Sequence, residues 1–217
     1  MVMVGFTLSK INLLIFVTAM FVIIVYFTFG FSEVLLKQQT AQMINRYAGE
    51  ALSLVNSKSL CVQNTITFPD SISYVGSQRI FYILKIEKVE SLDETKPNSL
   101  IFTIFPRKEP NKVLASRRID TLAEIHFFNQ LLGSPAGFET DALFVLIDSQ
   151  SVPPLDSLFI AKESFQGNEF IYLTNCSSTT TGGCFGNVRA VGNWIANSAA
   201  ERSSVSLCVP YTASGSS

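Results

Sequence analysis

The feature that most constrains this chain is an uncharged, strongly apolar run from Ile11 to Ser32. Because an α-helix rises ~1.5 Å per residue, this run is long enough to cross the ~30 Å hydrocarbon core of a bilayer. A secretory signal peptide would have a shorter apolar region followed by a small-residue cleavage site, whereas here the helical pattern continues directly beyond the run. We therefore predict a transmembrane helix over residues 6–32 that stays attached to the protein.

The next segment, residues 33–57, keeps helical spacing but becomes amphipathic. Its apolar face is expected to pack against the rest of the protein through Ile44, Tyr47, Ala48, Ala51, Leu52 and Val55. No proline occurs before Pro69, so one helix can extend from about Ile11 to Ser57, over roughly 70 Å. Gly30 is interpreted as a glycine that a membrane helix tolerates, and a hinge is the alternative.

Residues 58–211 are predicted to form a β-rich extracytoplasmic head, because the apolar period falls to two. The expected strands are 61–68, 79–89, 99–105, 112–118, 121–128, 141–148, 156–165, 168–174 and 205–211, with a short helix at 187–201. Gln166-Gly167 suits a tight hairpin. The chain is thus predicted to be α+β, with an antiparallel sheet or sandwich and a flexible tail at 212–217.

All four cysteines follow the predicted span, which is typical of a domain exposed to an oxidising compartment. Cys176 and Cys184 bracket a short flexible loop, so we predict a disulfide between them and a second between Cys61 and Cys208. The alternative, Cys61 with Cys176 and Cys184 with Cys208, stays open. No Cys-x-x-Cys spacing or paired histidine accompanies these cysteines, so no metal site is expected.

Charge and single-residue features indicate no enzyme, cofactor or nucleic-acid partner. Lysine plus arginine number 16 against 17 for aspartate plus glutamate, and no basic stripe is present. The only histidine, His126, lies in a predicted strand without a nucleophile motif. Five phenylalanines are assigned to the sheet core: Phe81, Phe102, Phe105, Phe144 and Phe159. Four aspartates near strand ends match no calcium loop: Asp120, Asp141, Asp148 and Asp156.

Asn175-Cys176-Ser177 formally fits a glycosylation sequon, although a bridged Cys176 would restrict access to it. The three-residue pattern is common by chance, so we interpret the sequon as a weak signal.

The tract Gly5-Phe6-Thr7-Leu8, followed by the anchor, its amphipathic extension and a β-rich head, resembles the type IV pilin family. The resemblance implies a leader of residues 1–5, removed by a prepilin-type peptidase between Gly5 and Phe6. Bacterial members usually have glutamate where this chain has Lys10. Archaeal members do not depend on that glutamate and often have β-rich heads, so the resemblance is closer to the archaeal type.

The resemblance further implies a structural subunit of a surface filament, with adhesion through the head as a further expected role. The subunit would lie in the prokaryotic cell membrane before assembly, with its N-terminus inside and its head outside, and would then polymerise with copies of itself. The helix residues expected to pack between subunits are Leu13, Leu14, Phe16, Val17, Phe21, Ile24 and Phe27. The alternatives are a single-pass membrane protein whose head binds an extracellular ligand or partner, and a minor pseudopilin of a secretion or uptake machine.

Overall fold

A computed structural model describes residues 2–73, 79–91, 97–130, 138–140, 142–165, 167–178 and 184. The first element is a single helix, α1 (Val2–Val55), of 54 residues, which at ~1.5 Å per residue is about 80 Å long. It is followed by β-sheets, so the predicted α+β class with a β-rich head is confirmed. The helix continues without a break through Gly30, where an added Cβ would contact nothing within 4 Å, so it shows no hinge there.

The described part of the head contains eleven strands. Their bounds are β1 (Cys61–Thr67), β2 (Ile72–Ser73), β3 (Arg79–Ile80), β4 (Tyr82–Val89), β5 (Asn98–Pro106), β6 (Ala115–Thr121), β7 (Glu124–Gln130), β8 (Phe138–Thr140), β9 (Phe144–Ile147), β10 (Ser157–Phe165) and β11 (Asn168–Cys176). The helix predicted at 187–201, the strand at 205–211 and the tail at 212–217 lie outside the described residues.

The strands form a five-stranded sheet in the order β1-β10-β11-β7-β8, a four-stranded sheet in the order β6-β5-β4-β9, and the small pair β2-β3. Strands β10 and β11 form the predicted hairpin, with Phe165 opposite Asn168. Gly167 has a φ of +85° in that turn, a conformation that favours glycine. Strand β7 pairs with β11 in parallel, so the larger sheet is mixed and not wholly antiparallel.

The main core lies between both larger sheets and the second half of α1. Alternate residues of β4 point into this core and lie opposite core residues of β5. Leu84 pairs with Ile104 and Ile86 with Phe102. All four side chains are at most 1 % exposed. A second buried cluster, on the opposite face of the five-stranded sheet, contains Phe128, Phe159, Ala161, Phe170, Tyr172 and Cys176.

Several details of the head differ from the sequence prediction. Phe81 is 43 % exposed and is not a core residue, whereas Phe102 and Phe159 are buried and Phe105 and Phe144 are partly buried. The predicted strand at 112–118 begins only at Ala115, because the preceding residues form a turn. Thr121 ends β6 and does not begin β7, which starts at Glu124.

Candidate functional site

The first half of α1 presents apolar side chains to its surroundings on every side. From Lys10 to Val34 the described side chains are exposed, apart from the partly exposed Val25 and Ser32. The residues predicted to pack between subunits all belong to this surface: Leu13, Leu14, Phe16, Val17, Phe21, Ile24 and Phe27 are 56–68 % exposed. By length and composition, this helix is the one among the described residues that is able to cross a membrane.

Three hydroxyl side chains in this half of the helix are satisfied within the helix itself. The hydroxyl groups of Thr18, Thr28 and Ser32 donate hydrogen bonds of 2.7–2.8 Å to the carbonyl oxygens four residues earlier. Such bonds leave no hydroxyl proton without an acceptor when the helix is in lipid or packed against other helices. The surface therefore suits an environment without water.

Two shallow concave areas interrupt this apolar surface. The first is lined by Leu14, Ile15, Thr18, Ala19, Val22 and Ile23, of which Ala19 has the smallest side chain. The second is lined by Phe27, Thr28, Phe31 and Ser32. Small residues on a helix allow another helix to approach closely, so Ala19 marks a position where a large side chain from a neighbouring helix would fit.

The second half of α1 buries one face against the head. Leu36, Thr40, Ile44, Ala48, Ala51 and Val55 recur every three or four residues and are at most 8 % exposed. The other two residues predicted for this face, Tyr47 and Leu52, are partly buried and pack against the same core. Because Ala48 and Ala51 have small side chains, the helix axis lies close to the sheet strands.

Two tyrosines hold the segment after β1: Tyr47 from the helix and Tyr82 from β4. The Tyr47 ring packs against the Phe68 ring with centroids 4.5 Å apart. The Tyr82 hydroxyl donates a 2.6 Å hydrogen bond to the Pro69 carbonyl. Burial raises the pKa of the Tyr82 hydroxyl well above its usual value and raises the pKa of Tyr47 as well, because a phenolate is disfavoured away from water.

The end of α1 is held by a lysine that the sequence analysis did not single out. Lys162 of β10 is 2 % exposed, and its ammonium donates hydrogen bonds to the carbonyl oxygens of Val55, at 2.7 Å, and Ser57, at 2.9 Å. It also lies 2.8 Å from Glu169 Oε1. The last carbonyl groups of a helix have no partners within the helix, and a cation there complements its dipole. Lys162 thus joins the helix end to the five-stranded sheet.

A second polar contact lies where the exposed and packed halves of the helix meet. Glu33 Oε1 is 3.4 Å from the Lys37 ammonium on the next turn and 3.7 Å from the Lys112 ammonium of the head. The neighbouring Lys37, together with Lys112, lowers the pKa of the Glu33 carboxyl. Glu33 is the first charged residue after the apolar run, so the head contacts the helix just where the apolar run ends.

The predicted disulfide between Cys176 and Cys184 is present, with their Cα atoms 5.0 Å apart. Cys61 is also disulfide-bonded and packs beside the second buried cluster. Cys208, its predicted partner, lies outside the described residues, so that pairing stays a prediction.

The sequon asparagine, Asn175, is 2 % exposed, and its side-chain nitrogen donates a 3.0 Å hydrogen bond to the Leu146 carbonyl. A glycan joined to that nitrogen is incompatible with this packing.

The histidine and three of the aspartates considered in the sequence analysis have structural partners. His126 is 8 % exposed and stacks on Tyr172, with ring centroids 5.6 Å apart. Asp120 accepts hydrogen bonds from Ser99 and Arg118, and Asp148 lies 3.3 Å from Arg107. Buried Asp156 accepts a 2.7 Å hydrogen bond from the Ser178 amide.

Asp141 lies outside the described residues. Among those that the structure describes, no group of three or more histidine, cysteine, aspartate or glutamate residues is arranged to hold a metal ion.

The predicted leader junction, Gly5-Phe6, lies within the first turns of α1. No protein-family model matches this chain, and neither a curated protein nor a solved structure matches it significantly. Arguments about function therefore depend on the geometry of the helix and its head.

Proposed function

We propose that this protein is the structural subunit of a type IV pilus-like surface filament. The observation that supports the proposal best is the contrast along α1: residues 10–34 project from the head with apolar side chains exposed all round. A helix that is apolar on every side is an element to be buried in lipid or among other helices. A membrane surrounds such a helix before assembly, and copies of the same helix surround it in a filament core.

The energetics favour assembly once the helix has left the lipid. Removing a Leu, Ile or Phe side chain from water stabilises the buried state by ~1.5–3 kcal/mol, and this half of the helix carries a continuous series of such residues. Within lipid the same side chains gain little by contacting one another. The anchor of the single subunit and the core of the polymer are thus the same surface in two environments.

The junction between helix and head suits a subunit that transmits load along a filament. The helix is continuous across the end of the apolar run, and its second half is packed into the head core. Lys162 binds the carbonyl of its last residue, Val55, and the Ser57 carbonyl just beyond it. Force applied to the head is therefore carried into the helix through packed side chains and not through a linker.

The proposed processing step gives a direct test. Filaments sheared from cells should contain this chain with Phe6 as its first residue, measured by mass spectrometry of the N-terminal peptide and by electron microscopy of the same preparation. Gly5→Val should leave the leader attached and stop assembly. Gly49→Ala is the matched control, because Gly49 is exposed in the half of α1 that packs on the head and an added Cβ there contacts nothing within 4 Å, and this variant should assemble normally.

The single-pass alternative predicts a different outcome from the same samples. A membrane-anchored binding protein would be extracted as separate chains with Met1 or an unrelated residue at the N-terminus, and no filament would contain it. Intact residues 1–5 on chains within a filament would contradict the processing step but leave polymerisation in place. A minor subunit of a secretion machine would appear processed at Phe6 but absent from long filaments.

A further inference from the structure

The loop between β5 and β6, residues 107–114, lies level with the end of the predicted membrane span. Its Lys112 ammonium is 3.7 Å from Glu33 Oε1. Glu33 directly follows the uncharged run that ends at Ser32. A helix that crosses the membrane with this run therefore brings the loop to the layer of lipid headgroups.

The loop is held in one shape by its own backbone. The Glu109 amide donates to the Pro106 carbonyl and the Lys112 amide to the Glu109 carbonyl, each at 3.0 Å, and the Leu114 amide donates to the Ile104 carbonyl at 2.9 Å. Leu114 is only 7 % exposed and anchors the loop in the core. The side chains between these anchors are thus presented from a fixed backbone.

The apolar and basic side chains among the exposed residues of the loop, which also include Glu109, match the chemistry of a membrane surface. Val113 is 51 % exposed and is flanked by Lys112, with Lys108 also exposed on the same loop. The adjacent part of the helix adds exposed Phe31 and Lys37. Apolar side chains among lysines with long aliphatic stems are typical of surfaces that enter the headgroup region and contact lipid phosphates.

We propose that the exposed part of this loop, residues 107–113, docks onto the anionic phospholipid surface of the membrane that α1 spans. Val113 enters the headgroup layer, and the ammonium groups of Lys108 and Lys112 contact lipid phosphates. The docked loop holds the head in one orientation above the bilayer before assembly. This proposal rests on the membrane span of α1 and is independent of polymerisation.

The test uses the full chain reconstituted in vesicles, with tryptophan as a depth probe. Val113→Trp places the probe on the loop. Leu122→Trp is the matched control, because Leu122 is 77 % exposed and follows the far end of β6, about 20 Å along the strand from Ala115. Vesicles contain brominated phosphatidylcholine with or without phosphatidylglycerol, and the unmodified chain, with its one tryptophan, supplies the background.

We expect the Val113→Trp probe to lose most of its added fluorescence in brominated anionic vesicles, and the Leu122→Trp probe to lose little. Replacing Lys108 and Lys112 by glutamine in the Val113→Trp chain should lower the docked-to-undocked ratio roughly fivefold per lysine removed. Alkaline carbonate extraction reports insertion of α1 independently. Unquenched Val113→Trp in a chain that resists extraction overturns the proposal, and so does equal quenching of both probes. A chain that extracts freely contradicts the membrane span itself.

Discussion

The two halves of α1 belong to one unbroken helix but have opposite surroundings. Residues 10–34 expose apolar side chains in every direction, whereas residues 36–55 bury one face in the head and expose polar residues on the other. The backbone geometry is helical throughout. The difference therefore lies in the side chains alone and decides which part of the helix the chain can bury by itself.

This contrast separates folding within one chain from association with something else. The amphipathic half packs against the head of the same molecule, since Leu36, Ile44 and Val55 are all core residues. The apolar half has no such cover from the described head residues. In the proposed filament subunit, a membrane and then neighbouring helices would cover it in turn.

A charge placed in either half should have the largest effects, each on a different property. Ile23→Asp should weaken membrane insertion by about 3–4 kcal/mol, because aspartate is costly at the centre of a span, and should leave head stability in detergent unchanged. Ile44→Asp, at a site 3 % exposed, should destabilise the head by about 3–5 kcal/mol, because the carboxylate is buried without a cation. Carbonate extraction and thermal unfolding measure the two properties. Equal loss of head stability in both variants would contradict the separation.

Removing the lysine at the helix end should have the next largest effect. Lys162→Met leaves the Val55 and Ser57 carbonyl groups without their donor, which should cost about 2–3 kcal/mol of head stability. Lys37→Met, which removes an exposed lysine of the same helix, should change stability little. Chemical unfolding in detergent measures both, and hydrogen exchange at residues 52–55 should accelerate only in Lys162→Met. Unchanged exchange there would show that Lys162 does not fix the helix end.

The long helix was predictable because the sequence features that specify it are local. The apolar run, the change to amphipathic spacing and the lack of proline all occur along one continuous stretch, and the observed end at Val55 is two residues before the predicted end at Ser57. Turn residues such as Gly167 likewise have their effect within a few positions. Helix–head packing at Ala48 and Ala51 was suggested by the same periodicity.

The contacts that sequence analysis missed join distant parts of the chain. Lys162 is in phase with Leu158 and Ile160 in β10, but neighbouring Phe159 and Ala161 are buried as well, so alternation did not distinguish the face that meets the helix. The parallel pairing of β7 with β11 depends on strand order, which no local pattern specifies. Phe81 was assigned to the core because it is a large apolar residue in a predicted strand, yet it lies outside the bounds of β4.

Replacing an alanine by phenylalanine adds bulk without charge, and it should affect head stability in one half of the helix and filament assembly in the other. Ala51→Phe, at a site 1 % exposed, should lower head stability by about 1–3 kcal/mol, because a packed core has no room for the ring. Ala19→Phe keeps the span apolar and should leave head stability and insertion unchanged, but it should reduce filament number in electron micrographs. Normal filaments from Ala19→Phe would indicate that this concave area is not a helix contact.

Alkaline pH should lower the free energy of unfolding of the head by a smaller amount, through ionisation of Tyr82. Burial raises the pKa of Tyr82 in the folded protein, so the unfolded chain loses this proton first and stability falls as pH rises above about 10. The slope from one such group is at most about 1.4 kcal/mol per pH unit. Tyr82→Phe should flatten the fall seen by chemical unfolding between about pH 9 and 11, although it also loses the hydrogen bond to Pro69 at every pH. An unchanged slope would contradict this role.

The smallest expected effect is at the boundary between the halves. Because the pKa of Glu33 is lowered in the folded protein, its contribution is present above about pH 4.3 and is lost as pH falls through the folded value. Glu33→Gln and Glu50→Gln each remove one exposed helical ion pair, and Glu33→Gln also removes the ion pair with Lys112 of the head. Acid unfolding should therefore be nearly the same for both variants, while hydrogen exchange at residues 107–113 should increase in Glu33→Gln alone. If Glu50→Gln also increased hydrogen exchange at residues 107–113, the result would contradict a role for the Glu33–Lys112 ion pair in holding the head against the helix.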